Sequence, residues 1–121
     1  MKLLLVDDSS TMRRIQRNVL EKIGISDIEE ASDGLEAIQK LREKPFDIVL
    51  LDWNMPNLDG LSTLKKIRAT EGIKSVRVVM CTSESEKTKI IEAVKCGANN
   101  YIVKPFTPEV LKEKLHDAGV L

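Results

Sequence analysis

The sequence is poor in the residues that most often advertise chemistry. It has a single histidine, His116, close to its C-terminal end, so a histidine-centred catalytic site has little to build on. Two cysteines, Cys81 and Cys96, are too few and too separated for a disulfide framework or a zinc site, and read as buried or half-buried thiols in a reducing cytoplasm. Aromatic residues number four: Trp53, Tyr101, Phe46 and Phe106. No apolar run approaches the roughly 20 residues that a membrane helix needs. The first residues enter a strand pattern directly instead of a signal peptide, so a cytoplasmic chain without membrane insertion is expected. An excess of one charge is missing too. Nineteen acidic residues balance nineteen basic ones, leaving no global field to draw the chain to nucleic acid or to an anionic surface. Linkers, low-complexity tracts and internal repeats are also lacking, and the 121 residues read as one domain large enough to bury a real core.

What the chain does have is alternation. Residues 2–6, 47–51, 76–80 and 100–103 are short runs rich in Val, Ile and Leu, as expected for strands buried on both faces. Ile28-Glu29-Glu30-Ala31 is more polar and suits an edge strand. Helical periods lie between them. Met12, Ile15, Val19, Leu20 and Ile23 share one face, stopped by Gly24; Leu35, Ile38 and Leu41 form a second stripe, closed by Pro45. Leu61, Leu64 and Ile67 form a third, and Ile90, Ile91 and Val94 a fourth, for which Ser83 and Glu86 fit a capping box. Val110, Leu111, Leu115 and Ala118 form the fifth, introduced by Thr107 as cap and Pro108 at the first helical position. Strict alternation of strand and helix predicts an α/β fold: a five-stranded parallel sheet with helices on both faces and right-handed crossovers.

In such sheets ligands bind beyond the carboxyl ends of the strands. Asp7, Asp52, Thr82 and Lys104 all follow strand runs, so all four are expected to open onto one edge. Asp7 and Asp8 are more acid than helix capping requires, because Ser9 and Ser10 can cap equally well. Three carboxylates gathered at one edge repel one another unless a divalent cation joins them, and magnesium takes oxygen ligands of this kind. Asp52 on its own reads as a turn residue ahead of Pro56. Beside Asp7 and Asp8 it becomes a candidate nucleophile for an electrophilic phosphorus, with Lys104 as the matching cation. Thr82 is placed either to donate its hydroxyl to a phosphoryl oxygen or to cap a helix. Lys104-Pro105 is a candidate cis peptide, since only bonds preceding proline adopt cis cheaply. Trp53, next to the nucleophile, reads as a half-buried hydrophobe whose fluorescence should report magnesium or phosphoryl binding.

The conjunction of Leu-Leu-Val-Asp7-Asp8-Ser, Asp52-Trp-Asn-Met-Pro-x-x-Asp-Gly60, Thr82-Ser83 and Tyr101-x-x-Lys104-Pro105-Phe106 resembles the receiver domain of bacterial two-component response regulators. Its nearest likeness is to the stand-alone chemotaxis regulators of the CheY type, and it covers essentially all of residues 1–121. The resemblance implies a flavodoxin-like sheet of order 2-1-3-4-5. It implies that Asp52 is the phosphoacceptor for a sensor histidine kinase. It further implies that Asp8, Asp52 and the backbone carbonyl of Asn54 bind Mg2+, with Asp7 acting through an intervening water. Lys104 would pair with the phosphoryl group and Thr82 would turn inward to it. Tyr101 would swing inward in response, remodelling the surface of the fourth helix, fifth strand and fifth helix. The partners implied are the kinase, a flagellar motor switch protein and a phosphatase, with the protein itself a monomer. Ser83 adds a hydroxyl where the family often has alanine. Asn54 and Glu84 match the chemotaxis type, which predicts a short-lived phosphoryl state.

Three other readings compete. An aspartate-nucleophile phosphatase would carry two acids spaced two residues apart after its first strand, whereas here they are adjacent and the nucleophile follows the third. A transcription factor would need a basic recognition element, which the sequence lacks. A phosphorelay intermediate or phosphate sink shares every feature of the site and differs only in having no output partner.

Overall fold

The computed structural model describes residues 1–83 and 87–120; Glu84 and Glu86, and with them the capping-box expectation, lie outside the described residues. Among the described residues five strands alternate with five helices: β1 (Leu3–Val6), α1 (Ser10–Lys22), β2 (Ile28–Ala31), α2 (Gly34–Glu43), β3 (Ile48–Asp52), α3 (Gly60–Ala69), β4 (Arg77–Thr82), α4 (Lys87–Lys95), β5 (Asn100–Val103) and α5 (Pro108–Asp117). The strands form one parallel sheet of order β2-β1-β3-β4-β5, with the polar β2 at an edge as its composition predicts.

Strand alternation divides the interior into two layers. Leu3, Leu5, Ile48, Leu50, Val79 and Ile102 face α1 and α5, where they meet Leu20, Leu111 and Leu115. Leu4, Val6, Val49, Leu51, Val78 and Met80 face the other way, onto Ala37 and Leu41 of α2, Leu64 and Ile67 of α3, and Ala93 of α4. Each layer seals one face of the sheet, so ligand chemistry is left to the strand ends.

Two expectations change. The ladders run further than the apolar runs do: Asp52 pairs in register with Cys81 and Thr82 with Val103, so both polar residues end strands instead of following them. Parallel pairing is set by backbone hydrogen bonds and does not stop where the side chains turn polar. The helical stripes also over-reach. Ile15, Leu35, Ile91, Val94 and Val110 stand substantially exposed, while Gln16 is buried. On α4 the residue pressed against the sheet is the small Ala93, not the larger Ile91 or Val94. The expected helix starts fare better. Ser9 Oγ accepts from the Met12 amide at 3.1 Å, and Thr107 Oγ1 accepts from Val110 at 3.2 Å ahead of Pro108.

Candidate functional site

Parallel pairing of β1 with β3 brings Val6 and Leu51 side by side, so the residues that follow them, Asp7 and Asp52, emerge together at the carboxyl end of the sheet. Asp7 and Asp52 are almost fully buried, at 2% and 4% exposure, and Asp8 stands in solvent at the rim. One oxygen from each of the three carboxylates lies within 4.8 Å of the others. Lys104 arrives from the end of β5 and reaches inward: its Nζ is 2.8 Å from Asp52 Oδ1 and 3.3 Å from Asp7 Oδ2. The Lys104 backbone is anchored as well, its amide donating to the Thr82 carbonyl at 2.7 Å, and the Lys104–Pro105 peptide bond is cis.

The loop after β3 returns to its own start beside the site. The Trp53 amide donates to the Cys81 carbonyl and the Gly60 amide to the Trp53 carbonyl, both at 2.9 Å. A side chain at position 60 would run into the Asp52 carbonyl oxygen and come within 2.8 Å of Trp53 Cα, so the close return of this loop requires glycine. Asp59 caps α3 by accepting from the Ser62 amide at 2.8 Å. Trp53 is half-buried against the sheet layer that α2, α3 and α4 cover, with the Lys89 ammonium 5.9 Å from its ring centre.

Burial pushes the Asp52 carboxyl above its ordinary value; the Lys104 hydrogen bond works against that, and the charges of Asp7 and Asp8 push the same way as burial. Burial alone would lower the Lys104 ammonium, but its bond to Asp52 and the two nearby carboxylates outweigh it and hold the lysine above its ordinary value. The pocket is thus a surplus of negative charge under strong restraint. Burial also pushes the neighbouring Cys81 thiol up to about 12, so that sulfur is no nucleophile.

These donors suit a hard cation. All are oxygens, and they converge from two strand ends. Asp7 already commits Oδ1 to the Ser9 amide at 2.9 Å and Oδ2 to Lys104, so Asp8 and Asp52 are the carboxylates better placed to ligate directly. Thr82 is buried at the end of β4, beside this group in the sheet, and Ser83 after it is exposed. Asn54 lies in the exposed loop after β3, and Tyr101 lies half-buried on β5 with the Lys114 ammonium 4.1 Å from its ring centre.

Sequence reading gave no role to three residues around the site. Gly60 works through close approach, which a motif records without its cause. Arg13 donates through Nη1 to the carbonyl oxygen of Asp7 at 2.6 Å and through Nε to Glu30 Oε1 at 2.8 Å, a link between α1 and β2 with no local sequence signal. Gln16, buried to 3% exposure, presents an Nε2 with no hydrogen-bond partner among the described residues. It lines a cavity of about 30 Å³ walled also by Lys104, Pro105 and Phe106.

Residues 3–116 match the family described as response regulator receiver domain. Among curated proteins, chemotaxis protein CheY1 of Helicobacter pylori is 54% identical over 116 residues, spanning 95% of this chain and 94% of that one. Chemotaxis protein CheY-3 of Vibrio cholerae is 52% identical over 115 residues, spanning 95% and 88%. Among solved structures, chemotaxis protein CheY4 of Vibrio cholerae superposes with a TM-score of 0.88 at 36% identity, covering 99% of this chain and 98% of that one.

Proposed function

Because the chain belongs to the response regulator receiver family, we propose that it is a phosphoacceptor signalling protein of chemotaxis, taking a phosphoryl group onto Asp52 from a phosphohistidine of a sensor kinase. The observation that carries this reading is the contact of one lysine with two buried carboxylates, 2.8 Å from Asp52 and 3.3 Å from Asp7, beside an exposed third. It supplies a nucleophile, a countercharge and a cation site at the same strand ends.

A magnesium ion, when bound, neutralises phosphoryl oxygens as charge builds on them. Asp8, Asp52 and the Asn54 carbonyl would hold it, with Asp7 through an intervening water. The remaining work falls to the chain. Asp52 offers one carboxylate oxygen to phosphorus; the P–N bond to histidine breaks and the P–O bond to Asp52 forms, so the protein's share is positioning and charge. Lys104 follows the new negative charge from the carboxylate to the phosphoryl oxygens. Thr82 donates its hydroxyl to them from the end of β4. The phosphoryl group adds roughly 1.5 to 2 negative charges, enough to bias a balanced pair of conformers, and Tyr101 turns inward as Thr82 moves.

The output surface is that of α4, β5 and α5. Ile91 and Val94 of α4, exposed while Ala93 is buried, give it an apolar character suited to a protein partner. By analogy with the chemotaxis relatives, that partner is a flagellar motor switch protein, with a dedicated phosphatase resetting the state. We assign residues 1–121 to one receiver domain acting as a monomer in the cytoplasm. No helix among the described residues is long and apolar enough to cross a membrane.

Incubation with acetyl phosphate or phosphoramidate and magnesium, followed by intact-mass analysis, tests this reading. The native protein should gain one phosphoryl group and lose it again quickly, and Asp52→Asn should gain none. Equal labelling of Asp52→Asn would overturn the assignment. Sustained turnover of a phosphomonoester would favour a phosphatase instead, and labelling without any conformer change at Tyr101 would favour a phosphate sink.

A further inference from the structure

We propose that Arg13 is a positioning residue for the acid pocket, holding the peptide between Asp7 and Asp8 through a guanidinium that Glu30 locks in place. The proposal rests on the reading of Asp8 and Asp52 as magnesium ligands. Arg13 lies in the first turns of α1, and one arm of its fork, Nη1, donates to the Asp7 carbonyl at 2.6 Å. Another arm, Nε, donates to Glu30 Oε1 at 2.8 Å. Glu30 has no slack to give. Its Oε2 accepts from Arg17 Nε at 3.0 Å, and its backbone carbonyl accepts from Lys40 Nζ at 2.7 Å. Arg17 is itself tied to the Ile28 carbonyl at 3.1 Å. A rigid planar fork bonded at two places fixes its partners relative to each other. Here it ties the edge strand β2 to the turn that carries Asp8.

Asp8 is exposed, so the direction in which its carboxylate points depends on the peptide from which it hangs. Arg13 holds that peptide directly, and its neighbours are held by the ladder bond from the Asp7 amide to Ala31 at 3.1 Å and by the Asp7–Ser9 turn. Groups that orient metal ligands from behind typically contribute about 10- to 100-fold in metal affinity.

Charge and position make opposite predictions, which gives the test its edge. Arg13 is a cation near three carboxylates. If charge were its whole contribution, Arg13→Met would leave the pocket more negative and magnesium would bind more tightly, while Arg13→Lys would bind as the native protein does. Positioning predicts the reverse: both variants bind magnesium about 10-fold more weakly, because neither carries the fork. Glu30→Ala should weaken binding in the native background and add nothing further in the Arg13→Met background, since it acts through Arg13. Calorimetric titration of the full chain with magnesium chloride reads the native protein and its four variants, with circular dichroism confirming that each is folded. Unchanged or tighter binding by Arg13→Lys would overturn the proposal while leaving the metal site intact. Absence of binding by the native protein would instead remove the metal reading beneath it.

Discussion

In the acid pocket two buried carboxylates share one lysine beside an exposed third; at the β2 edge one carboxylate is shared by two arginines. The two clusters are joined through Arg13, yet their energetics are opposed. At the β2 edge, burial works to raise the Glu30 carboxyl, but the bonds from Arg13 and Arg17 prevail and hold it below its ordinary value. In the pocket, burial and like charge prevail over Lys104 and hold Asp52 above its own. A saturated cluster has little to gain from a further ligand, so it serves as a fixture. An overcrowded one gains from any cation or electrophile that relieves it, so it serves as a site.

The contrast is broken most forcefully by supplying the missing charge. Magnesium at a hundredfold excess over its dissociation constant should stabilise the native protein by about 2.7 kcal/mol, seen as a rise in melting temperature. Asp8→Ala should lose most of that rise. In chelator, however, the same variant should melt above the native protein, by the equivalent of about 1 kcal/mol, because it removes repulsion. A melting point at or below native in chelator would mean that the three acids do not strain one another.

The saturated cluster was the less legible of the two in sequence, and the reason is distance. Arg13, Arg17 and Glu30 sit on separate elements and are ordinary surface residue types, so nothing local marks their meeting. The pocket is legible because its residues sit at strand ends, where β-runs stop and acids begin; parallel pairing then brings them together. The alternation of elements was likewise written in the apolar runs, whereas the strand order came from the family resemblance. Periodicity failed on α4, where it marks an apolar face without saying what covers it. Ile91 and Val94 are exposed there and Ala93 does the packing. At Gln16 the residue type misleads instead: its spacing from Met12, Val19 and Leu20 puts it on the buried face, but a glutamine reads as solvent-facing.

Gln16 sharpens the comparison at a smaller scale. It shares a cavity of about 30 Å³ with Lys104, and its Nε2 is a buried donor with no protein partner among the described residues. Arg13 and Arg17, from the same helix, each donate two hydrogen bonds, one of them to Glu30. Leaving a buried donor unsatisfied costs about 1–3 kcal/mol. Gln16→Leu, which keeps most of the volume and removes the amide, should therefore raise unfolding free energy by about 1 kcal/mol in denaturant titration. Destabilisation by the same amount would show the amide to be satisfied and the pocket side less strained than its geometry indicates.

The smallest effect is also the one that sets the two clusters against each other directly, through pH, with chelator present throughout. Asp52 has a raised value in the folded state, so its contribution is fully present below the ordinary aspartate value and is lost as pH rises through the raised one. Asp52→Asn cannot ionise and escapes that loss; its stability relative to native should climb as pH rises across this window. Glu30 has a lowered value, so its contribution is present above the ordinary glutamate value and is lost as pH falls through the lowered one. Glu30→Gln should accordingly be weaker than native at neutral pH, by no more than about 1 kcal/mol for a partly exposed pair, and should converge on native in acid. Plotted against pH, the two differences slope in opposite directions. Parallel slopes would mean that both carboxylates are governed alike, by burial or by pairing, and the division of labour between the two clusters would dissolve.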